Sequence, residues 1–152
     1  MSIHSTAWIE PGAQIAENVE IGLFSAIHGD VRLAAGVKVG NHCVLHGPLE
    51  IREGTRLHDH VVIGGPPQSL THQEEGGRIV IGKNCQIREF VTVNQGTEAG
   101  GGATRIGNNC ALFAYSHVAH DCHLADGARL TNVATLAGHV HMGEGAIVSG
   151  LV

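Results

Sequence analysis

A six-residue beat of aliphatic side chains constrains this chain more than any other feature. Ile3, Ile9, Ile15, Ile21, Ile27, Leu33, Val39, Leu45, Ile51, Leu57 and Ile63 stand six apart. Ile81, Ile87 and Val93 resume the beat, and Ile106, Leu112, Val118, Leu124, Leu130, Leu136, Met142 and Val148 carry it further. A fixed period over most of a chain marks a repeat architecture, in which each unit buries its apolar face only by stacking on the next.

Two residues before each aliphatic lies a second, mostly smaller set, including Val19, Ser25, Val31, Cys43, Cys85, Ser116, Ala128 and Ala134. Strand side chains alternate between faces, so both sets point the same way. The three- and four-residue apolar steps of a helix are missing. Gly or Asn often follows the aliphatic, as in Ile21-Gly22 and Ile106-Gly107-Asn108-Asn109, and these residues tolerate the positive φ of a turn. Each hexad therefore reads as a short strand plus a corner, and the chain as an all-β solenoid of the β-helix type.

The beat breaks twice. Segment 66–78 (PPQSLTHQEEGGR) is polar and rich in turn formers, and segment 94–105 (NQGTEAGGGATR) is rich in glycine. Both are expected to project from one domain spanning 1–152, and loops on a rigid frame often carry binding function. Net charge is −5 with no long basic run, which argues against a nucleic-acid footprint. No apolar stretch approaches membrane-spanning length and no signal peptide opens the chain, so the expected compartment is the cytoplasm. All four cysteines, Cys43, Cys85, Cys110 and Cys122, fall on the small inward position and read as buried apolar groups. The chain ends at Val152 in mid-repeat, so further coils and a cap are expected to follow in the natural protein.

Of twelve histidines, His4, His28, His42, His46, His58 and His60 read as solvated corner or surface residues. The segment from His117 to His123 differs. With eighteen residues per coil, Gly138 stacks over His120, His139 over Asp121, and His141 over His123. Imidazoles, a carboxylate and a glycine backbone then share one side of the molecule. Such a patch suits a general base, a metal site or a polar subunit interface.

The run His117-Val118-Ala119-His120-Asp121-Cys122, followed by Asn132-Val133-Ala134-Thr135-Leu136-Ala137-Gly138-His139-Val140, resembles the acyl-(acyl-carrier-protein)–UDP-N-acetylglucosamine O-acyltransferases, which begin lipid A synthesis. Ile87-Arg88-Glu89-Phe90-Val91-Thr92-Val93, Gly96-Thr97 and Gly100-Gly101-Gly102-Ala103-Thr104 extend the agreement to nearly the whole chain. The resemblance implies a left-handed, three-sided parallel β-helix, a homotrimer with sites between subunits, and acyl carrier protein and a UDP-amino sugar as partners. It implies no cofactor and no metal. His120 matches the general base and Gly138 the donor of an N–H to the thioester oxyanion. His117 and His139 match residues lining the site, and Gln68 a loop residue touching the acceptor. Asp121 joins the catalytic group, although neighbouring strand residues face opposite ways, so its help to a histidine is expected across a subunit boundary.

The chain departs from that pattern where Gln68-Ser69-Leu70-Thr71 replaces Gln-Asp-Leu-Lys, and where Asn94-Gln95 replaces His-Arg. Asn94 is nevertheless the expected substrate-side residue at its position. The family's C-terminal helical domain has no counterpart here. Two other functions compete. One is a γ-carbonic-anhydrase-like metal enzyme using His117, His123 and His141; the other is a non-catalytic trimeric scaffold or inactive paralogue.

Overall fold

The computed structural model describes residues 1–70 and 76–151. Thr71 lies outside them. Among the described residues there are 22 short strands and no helix, so no helix is long and apolar enough to cross a membrane. All strand pairs are parallel, and they form three sheets of eight, seven and seven strands. Successive strands go to successive sheets: Ser2–Ile3 opens the first face, Trp8–Ile9 the second and Gln14–Ile15 the third. The chain returns to the first face at Glu20–Ile21, eighteen residues on, where Ser2 pairs with Glu20. The coil is a left-handed parallel β-helix.

The six-residue beat is the core. Ile27, Leu45, Ile63, Ile87 and Leu112 have no exposed surface, and the inward partners Val19, Val37, Val61, Val91 and Ala134 are equally buried. Four inward positions carry hydroxyls: Ser25, Thr55, Thr104 and Ser116. Ser25 Oγ donates to Gly40 O at 2.8 Å and accepts from Cys43 N at 3.0 Å. Thr55 Oγ1 does the same between Gly82 O and Cys85 N, at 2.7 and 3.0 Å. The hydroxyls of Ser25 and Thr55 thus stitch one coil to the next, whereas the buried Ser116 Oγ has no hydrogen-bond partner among the described residues. The four cysteines are reduced and buried, and burial pushes the thiols of Cys43 and Cys122 up, which leaves them inert.

The three outer surfaces differ. Facing out from the first sheet are Glu20, Lys38 and Arg56, with Glu20 and Lys38 paired at 2.9 Å. The third presents Arg32, Glu50, Arg105, His123 and His141. The second presents Trp8, Ala26, Val44, Val62, Thr92, His117 and Thr135 in one row without a formal charge.

The corners differ as well. Between the third and first faces the left-handed positions are Asn18, Gly36, Gly54, Asn84, Asn109, Gly127 and Gly145. Between the first and second they are Phe24, His42, His60, Phe90, Tyr115 and Val133, with φ between 52° and 65°. Left-handed backbone costs a non-glycine residue roughly 1–2 kcal/mol. Here the side chains recover part of it by stacking: Phe24, His42, His60, Phe90 and Tyr115 form a ladder with centroids 5.3, 5.1, 4.8 and 4.8 Å apart. His28 and His46 stack at 4.5 Å, with Trp8 edge-on to His28. These histidines sit at corners or on the surface as expected, with His42 and His60 exposed, but they also stack: rings eighteen residues apart are one strand spacing apart, which is stacking distance.

The two breaks leave the frame intact. The offset between paired strands rises from 18 to 30 across the first segment, where Val62 pairs with Thr92, and is 25 across the second, where Thr92 pairs with His117. They thus carry twelve and seven extra residues, and both leave the helix between the second and third faces.

Candidate active site

That same corner holds the histidine cluster. The strand His117–Val118 ends on the second face and His123–Leu124 begins on the third. Between them the chain turns at Asp121, whose φ is +61°. Left-handed backbone suits Asp better than most residues, because its short polar chain bonds locally. Asp121 N–H donates to Thr104 Oγ1 at 2.9 Å, and one coil up His139 N–H donates to His120 O at 3.0 Å.

The turn brings His120 and Asp121 together. His120 Nδ1 lies 2.8 Å from Asp121 Oδ2. This corrects the expectation that they face apart. Alternation holds only within a strand, and these two residues lie past its end, where the positive φ swings the carboxylate back beneath its neighbour. Asp121 also accepts from Thr97 N–H through Oδ1 and from the Thr97 hydroxyl through Oδ2, both at 2.7 Å. Burial pushes the Asp121 carboxyl up, but the bonds from His120 and Thr97 outweigh it and hold it below the usual carboxylate range. An ionised Asp121 can only accept, so Nδ1 of His120 carries the proton and Nε2 is the free nitrogen.

Gly138 closes over that nitrogen. A Cβ built on Gly138 would lie 2.5 Å from Cε1 and 2.6 Å from Nε2 of His120, so no other residue fits with the ring in place. His139 stands edge-on to His120 at 5.0 Å, exposed, with Nε2 3.8 Å from Asp121 Oδ2. The stacking expected of positions 120 and 138, 121 and 139, and 123 and 141 is all present.

The remaining residues divide. His117 sits half-buried on the second face, its Nδ1 hydrogen-bonded to Thr92 Oγ1 at 2.7 Å, and burial holds its pKa below the ordinary imidazole value. His123 and His141 stack at 4.8 Å on the third face, and His123 Nε2 donates to Ala103 O at 3.3 Å. Within one chain, His117, His123 and His141 do not converge. Among the described residues, the group of metal-capable side chains drawn within 4.8 Å of one another is His120, Asp121 and His139. Gln68 is exposed on the first loop. Asn94 is buried, and its amide donates to Pro66 O, while Gln95 Nε2 donates to Gly47 O at 2.9 Å. Asn94 thus anchors the start of the loop that carries Gln68, while the Gln95 side chain reaches back to the coil below.

Thr92, Thr97 and Thr104 escaped the sequence reading as functional residues. Their hydroxyls hold the cluster, yet Thr92 and Thr104 look like ordinary repeat positions, one and two before an aliphatic, and Thr97 lies in a loop outside the beat. The available signal was Gly96-Thr97 just ahead of three glycines, a spacing that folds a backbone tightly against a neighbour.

No family model matches the chain. Curated relatives do. Acyl-(acyl-carrier-protein)–UDP-N-acetylglucosamine O-acyltransferases from Stenotrophomonas maltophilia strain R551-3 and Anaeromyxobacter sp. strain K are 49% and 52% identical over 148 and 151 residues, covering 97% and 99% of this chain. The solved UDP-N-acetylglucosamine acyltransferase from Campylobacter jejuni superposes with a TM-score of 0.93 at 39% identity, covering 99% of this chain and 58% of that one. A structure from Acinetobacter baumannii gives 0.94 at 36% identity. The chain spans between half and two thirds of the length of those relatives, 56% and 59% for the two curated sequences. By sequence and by fold the chain is similar, over nearly its whole length, to the acyl-(acyl-carrier-protein)–UDP-N-acetylglucosamine O-acyltransferases.

Proposed function

We propose that the chain carries the reaction centre of an acyltransferase that moves a 3-hydroxyacyl-type chain from acyl carrier protein to the 3-hydroxyl of a UDP-N-acetylglucosamine-type sugar. The observation that supports this best is the His120–Asp121 pair with Gly138 pressed against the Nε2 edge of the ring. Nε2 removes the proton from the attacking hydroxyl as its oxygen bonds to the thioester carbonyl carbon. Charge then builds on the carbonyl oxygen, where the Gly138 N–H is offered as donor. Collapse of the adduct breaks the carbon–sulfur bond, and the imidazolium returns its proton to the leaving thiolate. Asp121 holds the ring in the reactive tautomer and stabilises the imidazolium in between. A thioester needs mainly positioning and a base, so these residues suffice in kind.

His117 and His139 flank the dyad and serve as substrate contacts, with Gln68 reaching the acceptor from the loop. Asn94 contributes by holding that loop as well as by its place beside the site. Ser69 stands where the family has a carboxylate, so the acceptor is held differently here.

A homotrimer fits the uncharged row on the second face. Trp8, Val44 and Val62 lie there in line with Thr92 and His117, so covering that row would bring a neighbouring subunit to the edge of the dyad. The same reading places the protein in the cytoplasm.

The test is to incubate the chain with 3-hydroxyacyl-(acyl carrier protein) and UDP-N-acetylglucosamine and to identify the product by mass spectrometry. The expected result is a UDP-sugar bearing one ester-linked acyl chain. Binding of both substrates without ester formation would contradict the catalytic reading and favour a scaffold.

A further inference from the structure

Asp121 Oδ2 has two histidines within reach. Nδ1 of His120 is 2.8 Å away and Nε2 of His139 is 3.8 Å away. The carboxylate is buried, with 1% of its side chain exposed, so water does not fix its orientation. Something in the protein must decide which imidazole it serves.

Thr97 is placed to do so. Its N–H bonds Oδ1 and its hydroxyl bonds Oδ2, each at 2.7 Å, so both oxygens are held from one residue. The direction of the hydroxyl proton follows from an inventory. Gly100 N–H donates into Thr97 Oγ1 at 2.9 Å, and an ionised carboxylate has no proton to give, so the single hydroxyl hydrogen points at Asp121. Thr97 is itself held: its carbonyl accepts from Gly102 N–H at 2.7 Å, and the residue is buried. Room for the carboxylate is made by Gly100, since a Cβ there would fall 2.1 Å from Asp121 Cγ. The glycine-rich segment is thus a cradle shaped around one carboxylate, not a spacer.

We propose that Thr97 is a positioning residue that commits Asp121 to His120 and away from His139, and so fixes His120 as the Nδ1–H tautomer with Nε2 free. With the hydroxyl gone, Thr97 keeps only its bond to Oδ1, and on Oδ2 the bond from His120 no longer has the hydroxyl beside it to hold the oxygen in place. The carboxylate then shares itself between the two imidazoles, and the fraction of His120 with Nε2 available falls. The proposal rests on His120 being the base of acyl transfer for its kinetic consequence, but not for its geometric one.

The experiment compares wild type, Thr97→Val and Thr97→Ser by ¹⁵N NMR of the histidine rings and by kinetics. Wild type is expected to show His120 as Nδ1–H. Thr97→Val is expected to show mixed tautomers at His120 with a changed His139 signal. Its kcat should fall about tenfold, in line with loss of an oriented base, with KM within about twofold. Thr97→Ser, which keeps the hydroxyl, should restore the wild-type tautomer and most of kcat. In an Asp121→Ala background Thr97→Val should cost nothing further. Should Thr97→Val fail to fold, Thr97→Ala removes the same hydroxyl with less bulk. An unchanged His120 tautomer in the folded hydroxyl-less variant, or a full additional loss in the Asp121→Ala background, would overturn the proposal. If instead His120→Ala retains activity while Thr97→Val shifts the tautomer, the acyl-transfer role of His120 fails and the cradle stands.

Discussion

At the scale of single residues, two close approaches tolerate no added atom: Gly138 on the His120 ring and Gly100 on the Asp121 carboxylate. Gly138→Ala sets a methyl 2.5 Å from the His120 ring, so the imidazole must move away from the position over which the glycine sits. We expect this variant to melt near the wild-type temperature and to lose at least about a hundredfold in kcat, because the backbone N–H remains but the methyl displaces the proposed base from beside it. A kcat within a few-fold of wild type would mean that the position of the His120 ring does not limit transfer. Asp121 gives a second handle. Its folded pKa is depressed, so its contribution to stability is present above the usual carboxylate value of about 3.9 and is lost as pH falls through the folded value. Asp121→Asn should therefore flatten the stability profile on the acid side of pH 4, as read by thermal melts in a pH series.

At the scale of elements, the rungs explain how residues with poor turn propensity hold a left-handed corner. Phe90 lies between His60 and Tyr115 at 4.8 Å on either side. Replacing it with Ala removes two stacked contacts of about 0.5–1.5 kcal/mol each from an exposed site. Phe90→Ala is thus expected to lower the urea midpoint with an unchanged m-value, and no shift would mean that the ladder is only a consequence of the coil. The beat made the strands, their inward sides and the rise of one coil legible, because burial allows only one register. Asp121 was misjudged because alternation was carried to residues two and three past the end of the strand His117–Val118. The ladder was missed because its members, Phe24, His42, His60, Phe90 and Tyr115, share no residue type, only a spacing that the first insertion stretches to 30 and the second to 25. Thr97 was missed because a loop residue has no period to betray it; its partner lies 24 positions away.

For the whole molecule, faces and titration act together. His46 and His117 are both held below the ordinary imidazole value of 6.5, each chiefly by burial. The unfolded chain then binds more protons than the folded one below about pH 6.5, so stability present at neutral pH falls as pH drops through that value. Melting temperatures between pH 8 and pH 5 should decline, and His117→Asn should make the decline shallower. If the uncharged second face is the subunit contact, Val62→Asp should yield monomers by light scattering and abolish transfer without unfolding the coil. The central claim is that His120, oriented by Asp121 and covered by Gly138, is the base for acyl transfer. The most direct measurement is the single-turnover rate of His120→Ala with saturating acyl carrier protein substrate and UDP-sugar, taken on protein whose mass in solution matches wild type. The expected loss is at least about a thousandfold, given what positioned bases contribute; a rate within tenfold of wild type would rule out His120 as that base.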